Sequence, residues 1–282
     1  MKVSRKVPVP RYKKILIPTG IVLLLFAGLF GVLKFKDVFS EKPSQPIAKN
    51  DTQQTDTQST EKKDSADTVP EQQSTTEIAQ SPSNPAISEP GNIWWVVNKT
   101  RPLSPLKYTP DELVYPNVSL RVPGNESMKI RSDVAKAIEQ MFADAKKAGL
   151  NPLFSSGYRS YNYQVTLYNG YVNSDGQAEA DKQSARPGYS EHQTGLSFDI
   201  CDANNCQLEQ AFADTPLGKW VADNAYKYGF TIRYKENKQD ITGYIYEPWH
   251  LRYVGIDLAK EVHKTNQTLE EYFKLSPAPD YQ

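Results

Sequence analysis

The chain has 282 residues, with 33 Lys and Arg against 33 Asp and Glu and an isoelectric point near 6.8. That balance argues against nucleic acid as a partner for the chain as a whole, and the length allows one or two domains. Two cysteines and three histidines are few enough that where they fall carries information.

Residues 1–14 hold Lys2, Arg5, Lys6, Arg11, Lys13 and Lys14 with no acid, and residues 15–33 then run without a charge. An apolar run of about 18 or more residues is long enough to span a bilayer, whereas the apolar region of a cleavable signal has about 7–15. The pattern predicts a cytoplasmic basic tail at 1–14 and a transmembrane anchor at 15–33, with everything beyond it outside the cell. The alternative is a signal peptide cut after Phe35 and a secreted product, although no Ala-x-Ala site or lipid-accepting Cys immediately follows the apolar run. Residues 34–91 are dominated by Ser, Thr, Gln, Asp, Glu and Pro. They hold too little apolar surface to offset ordering entropy, which predicts a disordered linker. As a random coil of about 50 residues it would span roughly 40 Å.

From Asn92 the composition shifts, opening with Ile93-Trp94-Trp95-Val96-Val97, and residues 92–282 read as one domain. Tyr108 to Val122 reads as irregular or short extended structure. Val134, Ile138, Met141, Phe142 and Ala145 recur at helical spacing over Ser132 to Ala148, and Gly149 supplies the stop. Leu150 to Ser156 predicts a strand that delivers Tyr158 and Arg159 to a turn, Tyr161 to Val172 a helix, and Gln177 to Gln183 a short acidic helix. Ser184 to Tyr189 is a Pro-Gly turn. In Gly195 to Cys201, Leu196, Phe198 and Ile200 alternate with Ser197 and Asp199, as in a strand. Thr215 to Tyr228 reads as a helix capped by Thr215, with Pro216 in its first turn. Phe230 to Tyr234 predicts a strand, Lys235 to Asp240 a charged hairpin loop, and Ile241 to Tyr246 the partner strand. Leu251 to Val254 continues the sheet, and Ile256 to His263 and Leu269 to Phe273 are terminal helices. The fold class is therefore α+β, a small, mostly antiparallel sheet with helices on one side and a cleft at its edge. Cys201 and Cys206 bracket a turn-forming Asp-Ala-Asn-Asn, so outside the membrane a small disulfide loop is expected; free thiols or extra metal ligands are the alternatives.

His192, Asp199 and His250 lie in short, turn-flanked segments and form a set that suits a catalytic zinc, which takes three protein ligands and leaves a position for water. Glu247, three residues before His250, is a candidate to take a proton from that water and return it to a leaving amine. On residue types alone, ordinary structural roles for these side chains stand beside the metal reading. His263, among Lys260, Glu261 and Lys264, reads as a surface residue.

The stretch Ser190 to Asp199 resembles the S-x-H-x-x-G-x-x-x-D signature of the VanY and LdcB type of zinc D,D- and L,D-carboxypeptidases, and Glu247-Pro248-Trp249-His250 resembles their E-P-W-H motif. Ser156 to Tyr161, with Gln164, is similar to their S-G-Y-R-S segment, and Ser197 stands where the family often has Ala. The likeness covers roughly 113–273. It implies one zinc on His192, Asp199 and His250, Glu247 as catalytic acid and base, and Arg159 holding substrate and polarising its carbonyl. It also implies substrate contacts from Gln164, Ser190 and Tyr158; Trp249 either walls the substrate pocket or packs in the core. The partners implied are peptidoglycan stem peptides, trimmed of a terminal D-alanine; the anchor at 15–33 and the lack of a wall-sorting signal point separately to a monomeric domain tethered at a Gram-positive cell surface. D,D and L,D specificity stay open. A wall-peptide endopeptidase and a tethered wall-binding module with a structural metal are the other readings.

Overall fold

A computed structural model of the chain describes residues 80–282. In chain order the strands and helices are β1 (Leu113–Val114), β2 (Ile130–Arg131), α1 (Ser132–Lys147), β3 (Pro152–Ser156), α2 (Tyr161–Asp175), α3 (Gln177–Gln183), β4 (Ser197–Asp202), α4 (Pro216–Asn224), β5 (Phe230–Ile232), α5 (Gln239–Thr242), β6 (His250–Tyr253), α6 (Ile256–Thr265) and α7 (Leu269–Tyr272). β1 and β2 form a two-stranded ladder, and β3 to β6 form a four-stranded sheet in the order β3-β4-β6-β5 with every pair antiparallel.

Alternation along the strands gives this sheet two chemically different faces. Phe154, Phe198, Ile200, Phe230 and Leu251 are buried on one, packed with Val134, Ile138, Met141 and Phe142 of α1 and Leu217 and Val221 of α4. The Phe154 and Phe198 rings stack with centroids 5.1 Å apart, and Phe230 meets Phe198 edge-on at 5.4 Å. α1 carries Asp133 in its first turn and Lys146 and Lys147 in its last, charges that complement the helix dipole. The other face holds Ser197 and Asp199 of β4 and His250 and Arg252 of β6, all buried. The β4–β6 register sets Asp199 directly opposite His250 and Ser197 opposite Arg252. Opposed residues on one face have Cβ atoms about 5 Å apart, so pairing alone brings the first two groups together.

Several sequence expectations are corrected. Ile241 to Tyr246 is not a strand: Gln239–Thr242 is a single helical turn closed by Gly243 at φ 82°, and β5 pairs with β6 instead. A side chain at Gly243 would run into Lys99 and the Ala278 carbonyl, so this segment is fixed by the packed C-terminal tail rather than by a ladder. Helices also flank both faces, because Tyr163, Leu167 and Tyr171 of α2 line the cleft on the polar side. The domain starts upstream of Asn92, since Ile87 is fully buried and its carbonyl accepts from Val96 N and Arg101 Nη2, both at 3.0 Å. Residues 215–228 divide into α4, with Thr215 Oγ1 accepting from Gly218 N at 3.0 Å, and a 3₁₀ turn at Ala225–Tyr228. Cys201 and Cys206 are disulfide-bonded. Among the described residues no helix is long and apolar enough to cross a membrane; the predicted anchor at 15–33 lies outside them.

Candidate metal centre

His192 sits on a 3₁₀ turn, Glu191–Thr194, that Gly195 closes in the left-handed region at φ 69°. Its Nδ1 is 2.7 Å from the Gly157 carbonyl oxygen. Position 157 needs glycine, because a Cβ there would press into the Lys129 carbonyl and the Phe154 ring. A carbonyl can only accept, so Nδ1 carries the proton and donates, and Nε2 presents a lone pair. Burial, followed by the Arg159 charge, lowers the His192 pKa to about 4, which keeps the ring neutral near pH 7.

That lone pair faces Asp199 Oδ1 at 3.5 Å. The two carboxylate oxygens are used differently. Oδ2 accepts from Ser156 Oγ at 2.6 Å and from Arg159 Nη2 at 2.5 Å, whereas Oδ1 is buried without a hydrogen-bond partner. A bulge in β3 between Phe154 and Ser156 places Ser156 opposite Asp199. From β6, His250 turns Nδ1 toward the same point, 3.7 Å from Asp199 Oδ1. One ligand atom from each of His192, Asp199 and His250 lies within 4.8 Å of the others. Two buried acceptors facing one another, His192 Nε2 and Asp199 Oδ1, fit a cation, and two imidazole nitrogens with one carboxylate oxygen are a zinc donor set.

Glu247 Oε2 is 3.4 Å from His250 Nδ1. The turn that puts it there is held by Glu247 N donating to Tyr234 O at 3.0 Å and His250 N donating to Glu247 O at 3.2 Å. Burial raises the Glu247 pKa above the ordinary carboxylate value. For His250 burial acts downward, but the nearby carboxylates of Glu191, Glu247 and Asp199 override it and raise the pKa to about 9. The surrounding carboxylates thus draw a positive charge to this point, the charge a bound cation would supply.

The sequence profile of VanY, D-alanyl-D-alanine carboxypeptidase, matches residues 127–256. The YodJ protein of Bacillus subtilis strain 168 is 48% identical over 190 residues, which cover 67% of this chain and 69% of YodJ. The chain belongs to the VanY family. It is a metallo-carboxypeptidase. A solved LdcB LD-carboxypeptidase superposes with a TM-score of 0.63 at 46% identity, covering 69% of this chain and 89% of that one. VanYB, solved with D-alanine-D-alanine, gives a TM-score of 0.52 at 31% identity, covering 64% and 96%.

In this VanY-family chain the metal-site groups open onto a cleft of about 740 Å³. Arg159, Ser190, Glu247 and Trp249 line it. Trp249 is 8% exposed, lining the cleft and also packing in the main core. Gln164 stands behind the wall, its Nε2 donating to Ala185 O at 2.7 Å and Ser184 Oγ at 3.2 Å. Tyr158 is set apart: it is 3% exposed, bonds to the Thr109 side chain and does not line the cleft. His263 is exposed and stacks on Tyr226 with centroids 4.0 Å apart. With Tyr226, Lys235 and Tyr246 it lines a separate cavity of about 420 Å³ that holds none of the predicted site residues. Sequence reasoning passed over two polar groups beside the ligands, Ser156 on Asp199 and Glu191 near His250. Ser156 opens the S-G-Y-R-S segment and was visible there; Glu191, next to His192, carried no spacing signal of its own.

Proposed function

We propose that the protein removes the terminal D-alanine from peptidoglycan stem peptides, with L,D-carboxypeptidase activity on tetrapeptide stems as its main reaction. The observation that carries the hydrolytic reading is Glu247 Oε2 at 3.4 Å from His250 Nδ1, an acid beside the ligand set that a structural metal site would not need. The closer likeness to the LdcB LD-carboxypeptidase, 46% identical, than to VanYB, 31% identical, supports the L,D preference. D,D activity on pentapeptides is the second reading, favoured by the family profile.

His192 Nε2, Asp199 Oδ1 and His250 Nδ1 would hold one zinc ion. When bound, the zinc supplies an acidified water and polarises the scissile carbonyl. Glu247 takes the proton of the attacking water and gives it to the departing D-alanine amine. Arg159 donates Nη2 to Asp199 and Ser156 and lines the cleft, where its other donors would hold the substrate carboxylate or carbonyl. Ser190 contributes from the cleft wall, and Gln164 braces it. The uncharged run at 15–33 supports a single-pass anchor with this domain outside the cell.

Incubating the full chain with defined tetrapeptide and pentapeptide muropeptides and weighing the products tests the reading. The expected result is loss of one alanine, faster from the tetrapeptide. Release of larger fragments would establish an endopeptidase instead, and loss from the pentapeptide alone would reverse the preference.

A further inference from the structure

Glu191 is 1% exposed, its carboxylate in the interior. Its Oε1 accepts from Arg233 Nε at 2.8 Å and Arg252 Nη1 at 2.6 Å, and its Oε2 from Ser197 Oγ at 3.2 Å. Arg233 also donates to both oxygens of Glu270, at 2.9 and 2.6 Å, and Glu270 Oε1 accepts from Asn98 Nδ2 at 2.9 Å. Arg252 Nη2 donates to the Ile93 and Trp95 carbonyls at 3.0 and 2.8 Å. Two guanidinium groups and two carboxylates therefore balance one another with no water access, an arrangement that brings little net stability over apolar packing. Its cost points to a task of position.

The group left over is His250 Nε2, buried without a hydrogen-bond partner and facing Glu191 Oε2 at 3.7 Å. That gap is roughly 0.7 Å longer than an N–H···O bond, a difference a small ring movement closes. On its other side the ring turns Nδ1 to Asp199 and Glu247. A neutral imidazole has one N–H, and whichever nitrogen holds it cannot ligate a metal.

We propose that Glu191 is a positioning residue: clamped by Arg233 and Arg252, its carboxylate accepts the Nε2 proton of His250 and thereby fixes Nδ1 as the metal-binding atom. This rests on the metal site proposed above and adds a carboxylate behind the ligand. Ser197 tunes it, because its hydroxyl donates to the same oxygen that His250 needs.

The chain has three histidines, so ring-¹⁵N labelling of the zinc-loaded full chain gives a readable long-range ¹H–¹⁵N spectrum. His250 is expected with its proton on Nε2 and metal on Nδ1, and His192 with the reverse. Glu191→Gln is expected to weaken zinc binding about 10–100-fold in chelator competition. Should that variant fail to fold, Ser197→Ala, a small-for-small change, carries the test, with zinc held about two- to fivefold more tightly as Oε2 is freed for His250. His250 protonated on Nδ1, or a folded Glu191→Gln protein with wild-type zinc affinity, or unchanged affinity in Ser197→Ala, overturns the inference while leaving the metal site standing. A wild-type chain that takes up no zinc overturns both.

Discussion

His192 Nε2 and Asp199 Oδ1 face each other at 3.5 Å as two acceptors, the first because its ring proton is committed to Gly157, the second because Ser156 and Arg159 occupy only the other oxygen. In a buried place such a pair is unfavourable until a cation joins it. Asp199→Asn places an amide where Oδ1 stands, able to donate to His192. The variant is expected to fold and to take up no zinc in a stoichiometric titration; retained zinc would mean Asp199 is not a ligand.

Glu247 lies beside the ligands with its protonated form favoured by burial. Glu247→Ala should keep the zinc content of the wild type and lose about 10²–10⁴-fold in kcat, the usual range for a general acid–base group. Metal analysis and steady-state kinetics on the same preparation separate the two effects. A variant that loses zinc as well would make Glu247 a ligand.

The disulfide between Cys201 and Cys206 spans a sequence separation of 5 at the end of β4. Closing so short a loop constrains the unfolded chain modestly, by about 2 kcal/mol. Replacing both cysteines with serine is expected to lower the unfolding free energy by that amount in urea, with zinc affinity unchanged, because Cys201 lies two residues beyond Asp199 on a strand paired on both sides.

Lys235 has its pKa lowered to about 8, chiefly by burial, while its Nζ donates to the Val262 carbonyl at 2.8 Å. In the unfolded chain it titrates near ~10.4. Below pH 8 both states are charged and the full cost of burying the charge is present. Between about 8 and about 10.4 the folded side chain is already neutral while the unfolded one still binds a proton, so this residue makes stability rise with pH. Unfolding curves near pH 7.5 and pH 9.5 should show a gain in the wild type relative to Lys235→Met. Parallel changes in the two proteins would remove Lys235 as the cause.

Much of the scaffold could be read from local pattern. α1 was visible as an apolar stripe ending at Gly149, α3 has the predicted bounds, and the alternation of Phe198 with Asp199 gave β4 its two faces. The metal set was legible because so few histidines exist and because they fall in a known motif. What was hidden depends on pairings distant in sequence. Strand order, the Ser156 bulge and the Asp199–His250 register exist only once the sheet forms. Ile241 to Tyr246 looked like a strand, but Gly243 and the C-terminal tail packed against it decide otherwise. Glu191 escaped notice because Arg233 and Arg252 lie 42 and 61 residues away.

A cation gripped by His192, Asp199 and His250 is the proposed driver of the hydrolysis. Muropeptide trimming by the full chain, followed by mass spectrometry before and after treatment with a strong chelator and then with added zinc, tests it most directly. The expected course is loss of alanine release, then recovery complete at one zinc per chain. Undiminished release in the chelator would contradict the account.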